Sequence, residues 1–137
     1  MKRLLSVFLI ASALSWVSAA PAGDPEVPER YVKVDEVKAL LDQKKPVTLV
    51  DVRVKEQYDE LHIQGARNIP LQELPKRLAE VSKRDFVVLY CACPHTLARG
   101  AYKVLYAAGY RNMVILDEGL PGWAQKDYPT ATTPRKS

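Results

Sequence analysis

Three short apolar runs constrain this chain more than any other feature. They are Val47–Val52 (VTLVDV), Phe86–Tyr90 (FVVLY) and Met113–Leu116 (MVIL). Each is rich in β-branched residues and lacks the polar alternation of a half-exposed strand. Such runs are read as strands buried on both faces, which is the environment of a parallel sheet. Between them lie helical stripes. Val34, Val37, Leu40 and Leu41 recur at helical spacing, with Asp35 placed to cap, and the pattern ends near Lys44. Leu71, Leu74, Leu78 and Val81 form a second stripe. Leu97, Ala101, Val104, Leu105 and Ala108 form a third, stopped by Gly109 at the C′ position. Lys55–Leu61 reads as one or two helical turns, Ala66–Ile69 as a short strand stopped by Pro70, and Pro121–Lys126 as a short helix. Strands alternating with helices predict an α/β fold, with a parallel sheet covered by helices on both faces.

The 137 residues suit one domain. The 20 Lys and Arg are mixed with 16 Asp and Glu, giving a formal charge of only +4, so no nucleic-acid footprint is expected. Residues 1–19 have a different character. Lys2 and Arg3 precede an apolar stretch from Leu4 to Leu14, and Val17-Ser18-Ala19 supplies the small residues of a cleavage site. This is the pattern of a secretory signal peptide, which predicts a periplasmic or secreted protein. After cleavage no stable membrane insertion is expected; the competing reading is retention as an anchor. Residues 20–30 read as an extended Pro-rich linker, 31–129 as the folded domain, and 130–137 as a polar tail that frays.

In open parallel sheets, ligands sit beyond the C-terminal strand ends. That rule points to Asp51–Arg53, Cys91–Thr96 and Asp117–Gly119. The middle segment follows strand with cysteine, loop and helix. The free N–H groups at a helix start can form an anion cradle, and a thiol placed in it ionises more readily. Cys91 is therefore the candidate nucleophile; the competing reading is a small buried side chain that ends a strand. No cofactor is expected.

Several motifs, in order, resemble the single-domain rhodanese-like sulfurtransferases. They are LVDVR at 49–53, Glu56 with Tyr58, HIQGARNIP at 62–70, VVLYC at 87–91, AAGY at 107–110 and LDEGLPGW at 116–123. The resemblance implies a five-stranded parallel sheet and a Cys91 persulfide that moves sulfane sulfur. The donor would be thiosulfate or a persulfide, and the acceptor a thiol or cyanide. The partners so implied are a small sulfur-containing donor and a thiol acceptor. Ala92, Cys93, His95, Thr96 and Leu97 would line the substrate loop.

This loop departs from the family's Cys-x-x-Gly-x-Arg pattern. Pro94 stands at the glycine and brings no N–H; Thr96 stands at the arginine. His95 or Arg99 is then the candidate substitute cation. Those departures also leave open a non-catalytic persulfide carrier or protein-binding module. The fold resembles dual-specificity cell-cycle phosphatases as well, but Leu97 occupies the place of their C-x5-R arginine, so phosphate would lack its clamp.

Cys93 admits three readings: a small side chain lining the loop, a resolving thiol or disulfide partner of Cys91, or a metal ligand beside Cys91 and His95. Asp51 and Arg53 are read as loop-ordering supports that pair with each other, or Arg53 with Glu56. His62 is read as a turn-ordering residue, Trp123 as a packing residue of the last helix, and Tyr102, Tyr106 and Tyr110 as packing residues.

Overall fold

The computed structural model describes residues 26–134. The expected export segment and the start of the linker lie outside the described residues. The elements run β1 (Tyr31–Val32), α1 (Val34–Asp42), β2 (Val47–Asp51), α2 (Lys55–Glu60), β3 (His62–Ile63) and β4 (Arg67–Asn68). After two 3₁₀ turns come β5 (Phe86–Tyr90), α3 (Thr96–Ala107), β6 (Met113–Leu116), α4 (Gly119–Gln125) and β7 (Thr130–Ala131). Among the described residues no helix is long and apolar enough to cross a membrane.

Five strands form one sheet in the order β1-β6-β5-β2-β4, and every pairing in it is parallel. One row of the register runs Tyr31, Ile115, Leu89, Val50, Arg67. Successive side chains point to opposite faces, and the core divides accordingly. Val50, Val87, Leu89, Met113 and Ile115 meet Ala101, Tyr102 and Leu105 of α3. Leu49, Val88, Tyr90, Val114 and Leu116 meet Val34 and Val37 of α1, and Leu120 and Trp123 of α4. The central runs are apolar throughout because both faces are covered. Each fully buried aliphatic side chain here contributes about 1.5–3 kcal/mol.

Four expectations are corrected. The Leu71–Val81 stripe is two 3₁₀ turns, Leu74–Lys76 and Leu78–Glu80, not a helix. Pro75 has no N–H to donate, and the chain tightens to bonds such as Lys76 N–H to Glu73 O and Arg77 N–H to Leu74 O, both 3.0 Å. Leu74 and Val81 are still buried. Asp35 does not cap α1. The Val34 N–H donates instead to the Glu118 carboxylate at 3.0 Å, and Asp35 accepts from Tyr128 Oη.

The other two corrections concern the ends. Thr130–Ala131, expected in the tail, forms β7 and pairs antiparallel with β3. Pro129 O accepts from Gln64 N–H and from Trp123 Nε1. Residues 27–30 of the expected linker lie on the domain. Val27 packs against the α3-side core, Pro28 O accepts from Tyr102 Oη at 2.9 Å, and Arg30 O accepts from Ile115 N–H at 2.8 Å. In both places backbone groups make the attachment, so side-chain polarity gave no sign of it.

Candidate functional site

Strands β2, β5 and β6 end side by side, and the site is built on those ends. Asp51 closes β2 and is fully buried with Arg53 beside it. Arg53 Nε donates to both Asp51 carboxylate oxygens at 3.0 and 3.2 Å, and Arg53 Nη2 donates to Oδ2 at 2.6 Å. Arg53 also reaches Leu61 O at 2.7 Å, while Asn68 Nδ2 donates to the Asp51 and Arg53 carbonyls. This pair fixes the turn from β2 into α2. Glu56 takes no part in it.

Cys91 follows β5, and its side chain turns to the α3 face, where it is 2% exposed. Its carbonyl accepts from Leu120 N–H at 3.0 Å. Gly119, at φ +58°, makes that approach possible, because a Cβ there would stand 2.6 Å from the Cys91 oxygen. The loop then tightens: His95 N–H bonds Cys93 O at 2.6 Å around Pro94, and His95 itself is left-handed at φ 65°. His95 caps α3 through its backbone, and the helix begins at Thr96.

The loop carries two sulfurs where one was expected to matter most. Cys91 Sγ and Cys93 Sγ lie 3.1 Å apart, and Cys91 Sγ donates to Cys93 O at 3.3 Å. The cradle of amides is divided between them. Ala98 and Cys93 N–H groups serve Cys91, whereas Leu97, Cys93 and Thr96 N–H groups serve Cys93. Burial and the neighbouring Cys93 push the Cys91 thiol above its ordinary range. Burial also opposes ionisation of Cys93, but the Leu97 N–H and the Cys91 thiol outweigh it and hold Cys93 below that range. Against the ionisation of Cys91 expected from its amide cradle, burial works in the opposite direction. The Thr96 and Leu97 N–H groups that open α3 favour the anion at Cys93.

A cleft of about 230 Å³ opens over the loop, lined by Arg53, Gln57, Ala92, Cys93 and Leu97. Ala92, Cys93 and Leu97 therefore stand where a substrate would enter, and Thr96 contributes its N–H. His95 does not join them. Its Nε2 contacts the Asp117 carbonyl and lies 3.4 Å from Asp117 Oδ1, with the ring edge-on to Tyr31. Lys33 bonds the same carboxylate and holds Asp117 below the usual range. Arg99, the other candidate cation, is also elsewhere: Glu29 accepts its Nε at 2.8 and 2.9 Å. A larger groove of about 950 Å³ borders that pair on the outer side of α3.

His62 bonds Tyr58 O at 2.7 Å and stacks on the Tyr58 ring, so it orders the turn after α2. Trp123 is buried against the α1 side, and the Tyr102 and Tyr110 hydroxyls bond backbone carbonyls. Among the described residues no three His, Cys, Asp or Glu side chains are gathered to hold a metal ion. Gln57 and the Ala98 N–H were not singled out from the sequence. Gln57 carries no distinguishing signal there, and a backbone donor has none at all.

Comparison with known proteins agrees with this fold. The chain is 42% identical over 84 residues to the HTH-type transcriptional regulator Rv0324 of Mycobacterium tuberculosis, covering 61% of this chain and 37% of that protein. It is 41% identical over 66 residues to the thiosulfate sulfurtransferase PspE of Escherichia coli, covering 47% of this chain and 62% of that one. The chain therefore spans less than two thirds of the length of these relatives. The solution structure of the rhodanese-like domain of the Anabaena Alr3790 protein superposes with a TM-score of 0.69 at 26% identity, covering 80% of this chain and 88% of that one. The model of the rhodanese-like domain matches residues 33–126, from the start of α1 to the end of α4, and the chain belongs to that family.

Proposed function

We propose that this protein is an exported sulfurtransferase that carries sulfane sulfur as a persulfide on Cys91. The observation that carries the reading is the position of Cys91 Sγ: at the C-terminal end of β5, within reach of the Ala98 and Cys93 N–H groups, and beside a cleft. In the first step Cys91 Sγ attacks the outer sulfur of the donor, and the Cys91 proton goes to the departing group. The donor's remaining group leaves with the bonding pair. Loop amides then stabilise the anionic persulfide, and an acceptor thiol removes the outer sulfur in a second step. Export rests on the sequence of residues 1–19.

The charges favour a persulfide over thiosulfate as donor. Among the described residues Arg53 is the one cation lining the cleft, and Asp51 already neutralises it. Arg99 is held by Glu29. A dianion such as thiosulfate would meet no free positive charge there. Intact-mass measurement after treatment with each donor tests both points. At early times, before the sulfur moves on, glutathione persulfide should load one sulfur on Cys91 faster than thiosulfate does. Cys91→Ser should lose about 10³-fold or more of transfer activity. Full transfer by Cys91→Ser would overturn the reading.

A further inference from the structure

Resting on Cys91 as the sulfur-holding thiol, we propose that Cys91 and Cys93 form a dithiol couple that discharges the bound sulfur as hydrosulfide. Four observations meet on this. The two Sγ atoms are 3.1 Å apart, which needs only a small closure to a covalent bond. The His95 N–H to Cys93 O turn and the left-handed His95 hold the backbone so that both sulfurs lie on the same side of the loop. Cys93 lines the cleft, whereas Cys91 is buried beneath it. An incoming acceptor thus meets Cys93 before it meets Cys91. Finally, Leu97 and Thr96 N–H groups favour Cys93 as the thiolate, which is the attacking form.

A nucleophile fixed at this distance competes with dissolved thiols through its high effective concentration. The Cys93 thiolate attacks Cys91 Sγ, the inner sulfur of the persulfide, while the outer sulfur takes up one proton from solvent. An Sγ–Sγ bond forms and the bond to the outer sulfur breaks. The outer sulfur leaves with that electron pair and its proton as hydrosulfide. Two cysteine thiols have been oxidised to a disulfide, and one sulfane sulfur has been reduced. An external dithiol, itself oxidised to a disulfide, then restores both cysteines.

The test uses the reduced protein and one equivalent of glutathione persulfide, with no other thiol added. Wild type should release one hydrosulfide per chain and lose two hydrogens in mass, with the Cys91 and Cys93 peptides cross-linked. Cys93→Ser should keep one added sulfur on Cys91 and release hydrosulfide about 10-fold more slowly or less. A wild-type protein that holds a stable persulfide, with no disulfide, would overturn the dithiol couple and leave the Cys91 reading intact. Failure of the wild type to give either a persulfide on Cys91 or the Cys91–Cys93 disulfide would instead overturn the reading beneath it.

Discussion

At the C-terminal end of β2, Asp51 and Arg53 are buried, and their charges are answered by each other and by Leu61 O, while Asn68 bonds their backbone carbonyls. At the end of the neighbouring β5, the Cys91 and Cys93 sulfurs lie 3.1 Å apart, on a loop with a left-handed histidine. The two ends are in register, Asp51 opposite Tyr90, and Val52 N–H bonds Tyr90 O at 3.1 Å. The same sheet edge thus supports a corner with every charge paired and a loop with reactive capacity left over. Rigidity in the first lets the second keep a strained, reactive geometry without unfolding the domain.

The largest expected effect breaks the rigid corner. Asp51→Ala leaves the Arg53 guanidinium buried without its partner and should cost about 3–5 kcal/mol of stability in denaturant unfolding. Cys93→Ala, on the reactive side, should cost about 1 kcal/mol or less, since only a small, half-exposed side chain is lost. Replacing both members of the corner, Asp51→Val with Arg53→Met, should be milder than Asp51→Ala alone, because no charge is stranded. If Cys93→Ala proved as costly as Asp51→Ala, the division between the two ends would fail.

A smaller effect concerns the seam between the Cys91 loop and α4. Gly119→Ala puts a Cβ against the Cys91 carbonyl at a positive φ and should cost about 1–3 kcal/mol. Gly109, at φ +89°, also adopts the left-handed region, but no atom stands within 4 Å of its would-be Cβ. Gly109→Ala should therefore cost only the backbone strain, about 1–2 kcal/mol. The sharper difference lies in chemistry: Gly119→Ala should slow sulfur uptake by displacing the loop, and Gly109→Ala should not. Equal uptake by the two variants would show that the Cys91 carbonyl seam does not position the thiol.

The apolar runs of β2, β5 and β6 were legible because burial on both faces leaves no polar residue to obscure them. The Leu71–Val81 stripe misled because spacings of three and four suit two 3₁₀ turns as well as a helix; only Pro75 marked the difference. β1 and β7 are two residues each and are defined by backbone pairing, which side-chain pattern does not record. At the site, the Cys91 loop could be located from its strand-to-helix setting. The division of the amides could not, since it depends on which sulfur faces Leu97 and Thr96. Arg99 was misplaced for a related reason: Glu29, its partner, lies 70 positions earlier and reaches it only through the fold.

The finest distinction falls between the two sulfurs, and pH resolves it. Only the thiolate alkylates, so the thiol held lower reacts at the lower pH. Cys93, lowered from an ordinary value of 9.0, should react with iodoacetamide first as pH rises; Cys91, raised from the same value and buried, should follow. Each sulfur helps to set the other. Cys91→Ala removes the thiol that hydrogen-bonds to the Cys93 anion, so the Cys93 midpoint should move up. Cys93→Ala removes the neighbour that opposes ionisation of Cys91, so the Cys91 midpoint should move down. Peptide mapping of partly alkylated protein across a pH series reads both midpoints. Two cysteines that titrate together, each unmoved by loss of the other, would show that neither sulfur sets the ionisation of its neighbour.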